Sequence, residues 1–238
     1  MIGLGTAINI GLIIAGGLCG LAFGRFMKEN LKQTLMMVSG IIVLLLGMSG
    51  AMQYMLVIVN GTLQTTGPML MIISMVAGAV IGELIDLNRW ITVFGDWVKA
   101  KTGNTGDPQF THAFITASLT FTVGAMGVLG SIQDGLTGNY QTLLLKGILD
   151  GIIVMVMVSS MGKGALFSFI PVGITQWIIT AMAHIAAPLM TPSAIDNLSY
   201  VGSILIFCVG IDLIWPGKIR IANLLPAIFV AMGLTFLL

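Results

Sequence analysis

Charge is scarce in this chain. Of 238 residues only ten are Lys or Arg and nine are Asp or Glu, 8% together, where a soluble domain carries roughly 25%. So few charges cannot solvate a globule of this size, and a soluble fold is excluded. Histidine and cysteine are nearly missing, with two of each. Cys19 and Cys208 both lie in apolar runs, where they read as small, weakly polar core residues rather than a disulfide or metal ligands. The sequence also lacks HExxH, GxxxxGK[ST], GxSxG and GxGxxG motifs and any Cys/His cluster. It is read as no enzyme, with no cofactor. A net charge of +1 points to neither nucleic acid nor a polybasic membrane clamp.

What fills the sequence instead is apolar: 57% of residues, with 31 Gly and 17 Met. Its solvent is the bilayer. Small residues let transmembrane helices approach closely where no hydrophobic force drives them together. The apolar runs predict an all-α, polytopic transmembrane helix bundle in one integral domain over 1–238. The spans are 5–24, 34–56, 68–86, 111–132, 142–160, 165–189, 199–215 and 221–238: about eight, with seven as the alternative. At about 20 residues each they leave only short loops and no soluble domain. The second and sixth are long enough to be tilted, broken or partly re-entrant. The first apolar run has no basic leader region or clear cleavage site before Arg25 and is read as a retained span.

Loops rich in Lys and Arg stay in the cytoplasm. Arg25, Lys28 and Lys32 follow span one, Arg89, Lys99 and Lys101 span three, Lys163 span five, and Lys218 and Arg220 span seven. The alternate loops hold none, which predicts both termini outside. Within 87–101, Trp90, Phe94, Trp97 and Lys101 recur at helical spacing, as in a short amphipathic helix lying in the interface.

Glycines at 16, 20 and 24, at 78 and 82, and at 147 and 151 form smooth stripes for helix packing. Their number favours a homo-oligomer beyond the lipid contacts of one bundle. LLLGMSGAM, FTVGAMGVLG and IFCVGIDLI share an apolar run broken by glycine, and an internal inverted repeat, common among secondary transporters, would relate them.

An Asp or Lys at a helix centre costs about 2.5–3.5 kcal/mol on insertion scales. Such residues therefore face protein or water and have a partner. Lys146 and Asp150 are four apart in span five, close enough to pair, with Asp150 roughly 12 Å below the outer end. The pair either fixes helix register or presents a carboxylate whose proton or cation occupancy is coupled to solute movement. Span four carries Thr116, Ser118, Thr120 and Thr122 and closes with Ser131, Gln133 and Asp134. Its glycines 124, 127 and 130 weaken the helix by about 1 kcal/mol each relative to Ala. The stretch is either locally unwound to expose carbonyls, or ordinary helix with hydroxyls bonded back to i−4 carbonyls. Gln176 and His184, eight apart in span six, and Asp212, ending span seven near Lys218 and Arg220, are secondary candidates.

The segments VGAMGVLGSIQDGL (123–136), LLLKGILDGI (143–152), GKGALFSFIPV (162–172) and IRIANLLPAI (219–228), in this order, resemble an uncharacterised bacterial membrane-protein family. This is domain-of-unknown-function family 554, with YqgA- and YdfK-like members. The resemblance covers essentially the whole chain and implies a bacterial inner-membrane protein, often labelled a transport protein, without naming a substrate. Gly130, Ser131, Asp134, Gly135, Lys146, Asp150 and Gly151 occupy the family's most recognisable positions. The expected function is transport of a small solute or ion with proton or cation coupling. In that reading Asp150 titrates or binds the cation, Lys146 partners it, Asp134 gates the outer side and the span-four hydroxyls line the path. A non-transporting structural or sensory membrane protein and a passive channel are the alternatives.

Overall fold

The computed structural model describes residues 1–189 and 191–236. Its elements are α1 (Leu4–Gly24), α2 (Glu29–Met55), β1 (Leu56–Val59), β2 (Thr62–Thr65), α3 (Pro68–Ile85), α4 (Leu87–Lys101), α5 (Phe110–Thr122), α6 (Ala125–Thr137), α7 (Gln141–Met161), α8 (Phe169–Ala181), α9 (Ala183–Ala186), α10 (Pro192–Ile214) and α11 (Pro226–Leu234). Short 3-10 turns cover Lys163–Ser168, Ala187–Leu189 and Ile221–Leu224. This is the all-α, polytopic bundle that the apolar runs predict.

Six helical stretches are long and apolar enough to cross a membrane, or seven when the bent pair α5–α6 counts as one. The difference from eight lies at the C-terminal end. There a 3-10 turn leads into α11 of nine residues, about 14 Å of helix against a hydrocarbon core of about 30 Å. Residues 237–238 of that expected span, and residue 190 in the loop before α10, lie outside the described residues. The long second span is one unbroken helix of 27 residues. The sixth is segmented: a 3-10 turn enters α8, and Met182 interrupts the chain before α9.

The loop after α2 holds a hairpin that hydropathy does not reveal. Leu56 pairs with Thr65 and Val59 with Thr62, across a turn with Asn60 at φ 51° and Gly61 at φ 76°. An Asn-Gly pair is the preferred sequence for a turn with two left-handed residues, because those angles cost Asn and Gly least.

Glycine decides how the long helices meet. Side chains added at Gly16, Gly20 and Gly24 of α1 would run into Gly151, Met155 and Ser159 of α7 in that order, so the two helices run parallel. Gly78 and Gly82 of α3 lie against Ala227 and Asn223, so α3 runs antiparallel to α11 and the turn before it. Each stripe is used within a single chain and therefore gives no support to a homo-oligomer. Gly47 of α2 lies against Phe207 of α10, and Gly210 of α10 against Leu44 of α2. The similar runs in α2 and α10 thus touch reciprocally across an antiparallel pair, whereas the third run, 121–130, is the one that breaks.

α7 and α10 form the middle of the bundle: half or more of their most apolar stretch is buried, against 22% for α1, α2 and α3. The outer faces of α2 and α3 carry exposed Ile42, Leu45, Val76 and Val80, as lipid-facing helices do. The segments bearing nine of the ten Lys and Arg residues gather at one end, called here the basic end. Arg220 pairs with Glu83 at 3.2 Å, Arg25, Lys32 and Lys163 surround one surface pocket, and the Thr111 hydroxyl donates to Asp96 of α4 at 2.6 Å. α4 occupies the residues expected of the amphipathic helix, burying Gly95 and Val98 while exposing Trp90 and Trp97.

Candidate functional site

Lys146 and Asp150 are buried on α7, 7% and 6% exposed, and form an i, i+4 ion pair. Gly147 and Gly151 hold this part of α7 against α1: a side chain at Gly147 would meet Leu12 and Asn9. Small residues thus bring the Asn9 amide beside the Asp150 carboxylate. Neither polar atom of Asn9 reaches hydrogen-bond geometry with a described residue.

α5 ends at Thr122, and Gly124, with φ 154° and ψ 145°, turns the chain by 60° into α6. That conformation is open to glycine and strained for any residue with a Cβ. Of the three glycines expected to loosen span four, Gly124 alone breaks it. Gly127 sits inside α6, where an added Cβ would lie 3.4 Å from Lys146 Cε and 3.8 Å from Gln176 Nε2. Gly130 packs on Leu143 and Thr142. The break leaves the last carbonyls of α5 and the first amides of α6 without intrahelical partners.

Lys146, Asp150, Thr120 and Gly124 line a cavity of about 340 Å³, whose other walls include Ser199 and Ser203 of α10 and Gln53 and Tyr54 of α2. Burying a charged pair is tolerable where water or a polar wall completes its solvation, and this cavity supplies both room and hydroxyls. On the far side of Gly127, the buried Gln176 has neither amide atom in a hydrogen bond with a described residue, and the Thr122 hydroxyl is likewise unpaired. A buried polar group left unpaired costs about 1–3 kcal/mol. Asn9, beside Asp150, and Gln176, across Gly127 from Lys146, therefore hold unused hydrogen-bonding groups close to the ion pair but outside the lining of the 340 Å³ cavity.

The other expected residues are placed differently. Asp134 is fully buried but away from this cavity, accepting the Gly5 and Thr6 amides at 3.0 and 3.4 Å. It caps the start of α1, a favourable place for a carboxylate because of the free N–H groups and helix dipole. Gln133 is exposed and accepts the Thr142 hydroxyl at 2.7 Å. Ser118, Thr120 and Ser131 donate to the carbonyls of Phe114, Thr116 and Gly127, the back-bonding that spares a hydroxyl a separate partner. Thr120 is the member of this group that also faces the main cavity. Gln176 and His184 do not share a face: the break at Met182 leaves His184 exposed on α9. Asp212 pairs with neither Lys218 nor Arg220. It accepts the Gly217 amide at 2.8 Å and lies 3.4 Å from His112 Nε2. Cys19 and Cys208 are free thiols, the first exposed and the second half-buried.

Sequence reasoning missed the α10 and α2 walls. Ser199 and Ser203 at i, i+4 were a readable signal, since that spacing puts two hydroxyls on one face. His112 had no local signal, because its partner lies 100 residues away.

A family model described as "Protein of unknown function (DUF554)" matches residues 4–236. The "Uncharacterized membrane protein YdfK" of Bacillus subtilis is 27% identical over 235 residues, 98% of this chain and 96% of the relative. The "Uncharacterized protein YqgA" of Escherichia coli is 25% identical over 240 residues, with the same coverage of both chains. No solved structure matches the chain. With nearly its whole length under one family model and a bundle of apolar helices around a buried Lys/Asp pair, the chain belongs to the DUF554 family of membrane proteins.

Proposed function

We propose that the protein carries a small solute or ion across the bacterial inner membrane, coupled to protons or another cation, with Asp150 as the coupling carboxylate. The observation that carries this reading is the cavity reaching the Lys146–Asp150 pair beside a glycine-broken helix. A pair that only fixed helix register would be packed dry. Lys146 neutralises Asp150 at rest, so a proton or cation must compete with the ammonium group for the carboxylate. Such competition ties occupancy to a local rearrangement, which a carrier requires. The Gln53 amide and the hydroxyls of Tyr54, Thr120, Ser199 and Ser203 in the cavity wall offer neutral ligands for the cargo. The basic end faces the cytoplasm and the N-terminus lies outside, following the distribution of Lys and Arg. No catalytic constellation is invoked.

The test is reconstitution into liposomes and measurement of proton- or sodium-driven uptake over a panel of small solutes. Asp150→Asn should abolish coupled uptake. If it supports the same flux and pH dependence as the parent, the assignment of Asp150 is wrong. Single-channel currents in planar bilayers would instead support a passive channel.

A further inference from the structure

A second cavity, of about 380 Å³, lies at the basic end. His112 and Thr116 of α5, Asp212 of α10, Asn88 and Thr92 of α4, and Arg220 line it. Its ionisable groups come from three separate parts of the chain. Asp212 is buried and lies 3.4 Å from His112, which is partly open to the cavity. Arg220 is turned toward Glu83. Because α4 contributes to the wall, the cavity lies under the amphipathic helix, at the depth where that helix meets the bundle.

The two cavities are stacked along the same two helices. On α5, Thr111, Ile115, Thr116 and Leu119 face the basic-end cavity, while Thr120 and Phe121, with Val123 just after the helix, face the one containing Asp150. On α10, Asp212 faces the first, and Ser199, Ser203 and Ile206 face the second. Leu119 and Thr120 are neighbours in sequence, and Ile206 and Asp212 are six residues, about 9 Å, apart on a helix. Between the cavities lies tightly packed apolar core: Leu119, Phe121, Val43, Val209 and Leu213 are each at most 5% exposed and belong to one cluster. A barrier one or two turns thick is thin for a membrane whose hydrocarbon core is about 30 Å.

We infer that the cavity around His112 and Asp212 is the aqueous inner vestibule of the pathway that contains Asp150, and that the layer around Leu119 and Val209 is its closed gate. The inference rests on the carrier reading for the word pathway, but its geometry does not require knowing the cargo. The vestibule accepts water and small hydrophilic solutes from the basic end. The Asp150 cavity is sealed from that end in this conformation.

Cysteine accessibility tests this with the full-length protein. In a background with Cys19 and Cys208 replaced by Ala, Ile115→Cys probes the vestibule, Ser203→Cys the Asp150 cavity, and Ala113→Cys the fully buried face of α5. Lys99→Cys marks the basic end. Right-side-out and inside-out vesicles are treated with a membrane-impermeant trimethylammonium thiol reagent. Ile115→Cys should react from the side that labels Lys99→Cys, about tenfold or more faster than Ala113→Cys, whose modification must wait for local opening. Ser203→Cys should not react from that side. Thr92→Cys, on α4, repeats the vestibule measurement should Ile115→Cys fold poorly. The inference is overturned if both vestibule cysteines react as slowly as Ala113→Cys, or if Ser203→Cys reacts from the basic end. Labelling needs no solute, so it can succeed where every uptake assay fails, and it can fail while Asp150→Asn still abolishes uptake.

Discussion

Gly16 of α1 lies directly against the backbone of Gly151 on α7, with no room for a side chain between them. Gly151 follows Asp150 in sequence, so the buried carboxylate is held by a contact of main chain on main chain. Such contacts place a group more rigidly than interdigitated long side chains, because neither partner has rotamers to change.

That contact predicts opposite effects for two formally identical substitutions. Gly16→Ala drives a methyl into the Gly151 carbonyl and should lower stability by about 1–3 kcal/mol, the usual cost of overpacking. Gly11→Ala, on the same helix with nothing within 4 Å of the new methyl, should be neutral or stabilising by up to about 1 kcal/mol. Thermal unfolding in detergent, followed by loss of monodisperse protein, gives both signs in one experiment.

The ion pair should behave as a unit. Lys146→Met leaves the Asp150 carboxylate buried without its counter-charge and should cost up to about 3 kcal/mol. Lys146→Met combined with Asp150→Leu should recover most of that loss, since neither charge then needs a partner. Uptake should vanish in the single and the double variant alike. A double variant that folds normally and still transports would return the pair to a purely structural role.

Asp134 should matter for folding rather than flux. Asp134→Ala removes the acceptor for the Gly5 and Thr6 amides and should destabilise by about 1–3 kcal/mol. Hydrogen exchange should rise in the first turn of α1, while the ion dependence of whatever transport remains should be unchanged. An altered ion dependence would instead favour the gating role that its position near the outer end of span four suggests.

The exposed pair of Arg220 and Glu83 should contribute little. Glu83→Gln is expected to change stability by no more than about 1 kcal/mol. Gly82→Val, one position away, should prevent normal assembly, because any side chain there meets the Asn223 carbonyl. Expression yield and size-exclusion profile distinguish the two.

Much of the architecture could be read from linear pattern. The helix over 87–101 was legible because its aromatic and charged residues keep helical period, and the Lys146–Asp150 pair because i and i+4 are neighbours on any helix. The hairpin was legible in principle, in Asn60-Gly61, but hydropathy windows pass over four-residue strands. The short C-terminal helix looked like a full span because its apolar run continues through the 3-10 turn at Ile221–Leu224, and hydropathy carries no measure of helix length.

By itself, then, the sequence determined the solvent of this protein, its helical class and the one charged pair that has to be justified inside the membrane. Transfer free energies are properties of single residues and short windows, and so are written locally. The fold alone decided which glycine stripe meets which helix, that Asp134 caps α1 instead of joining the site, that Gly124 and not Gly127 or Gly130 breaks span four, and that His112 finds Asp212. Each of these depends on contact between segments far apart in the chain. In a bilayer, hydropathy scarcely distinguishes one apolar helix face from another, so close fit at small residues chooses the partner.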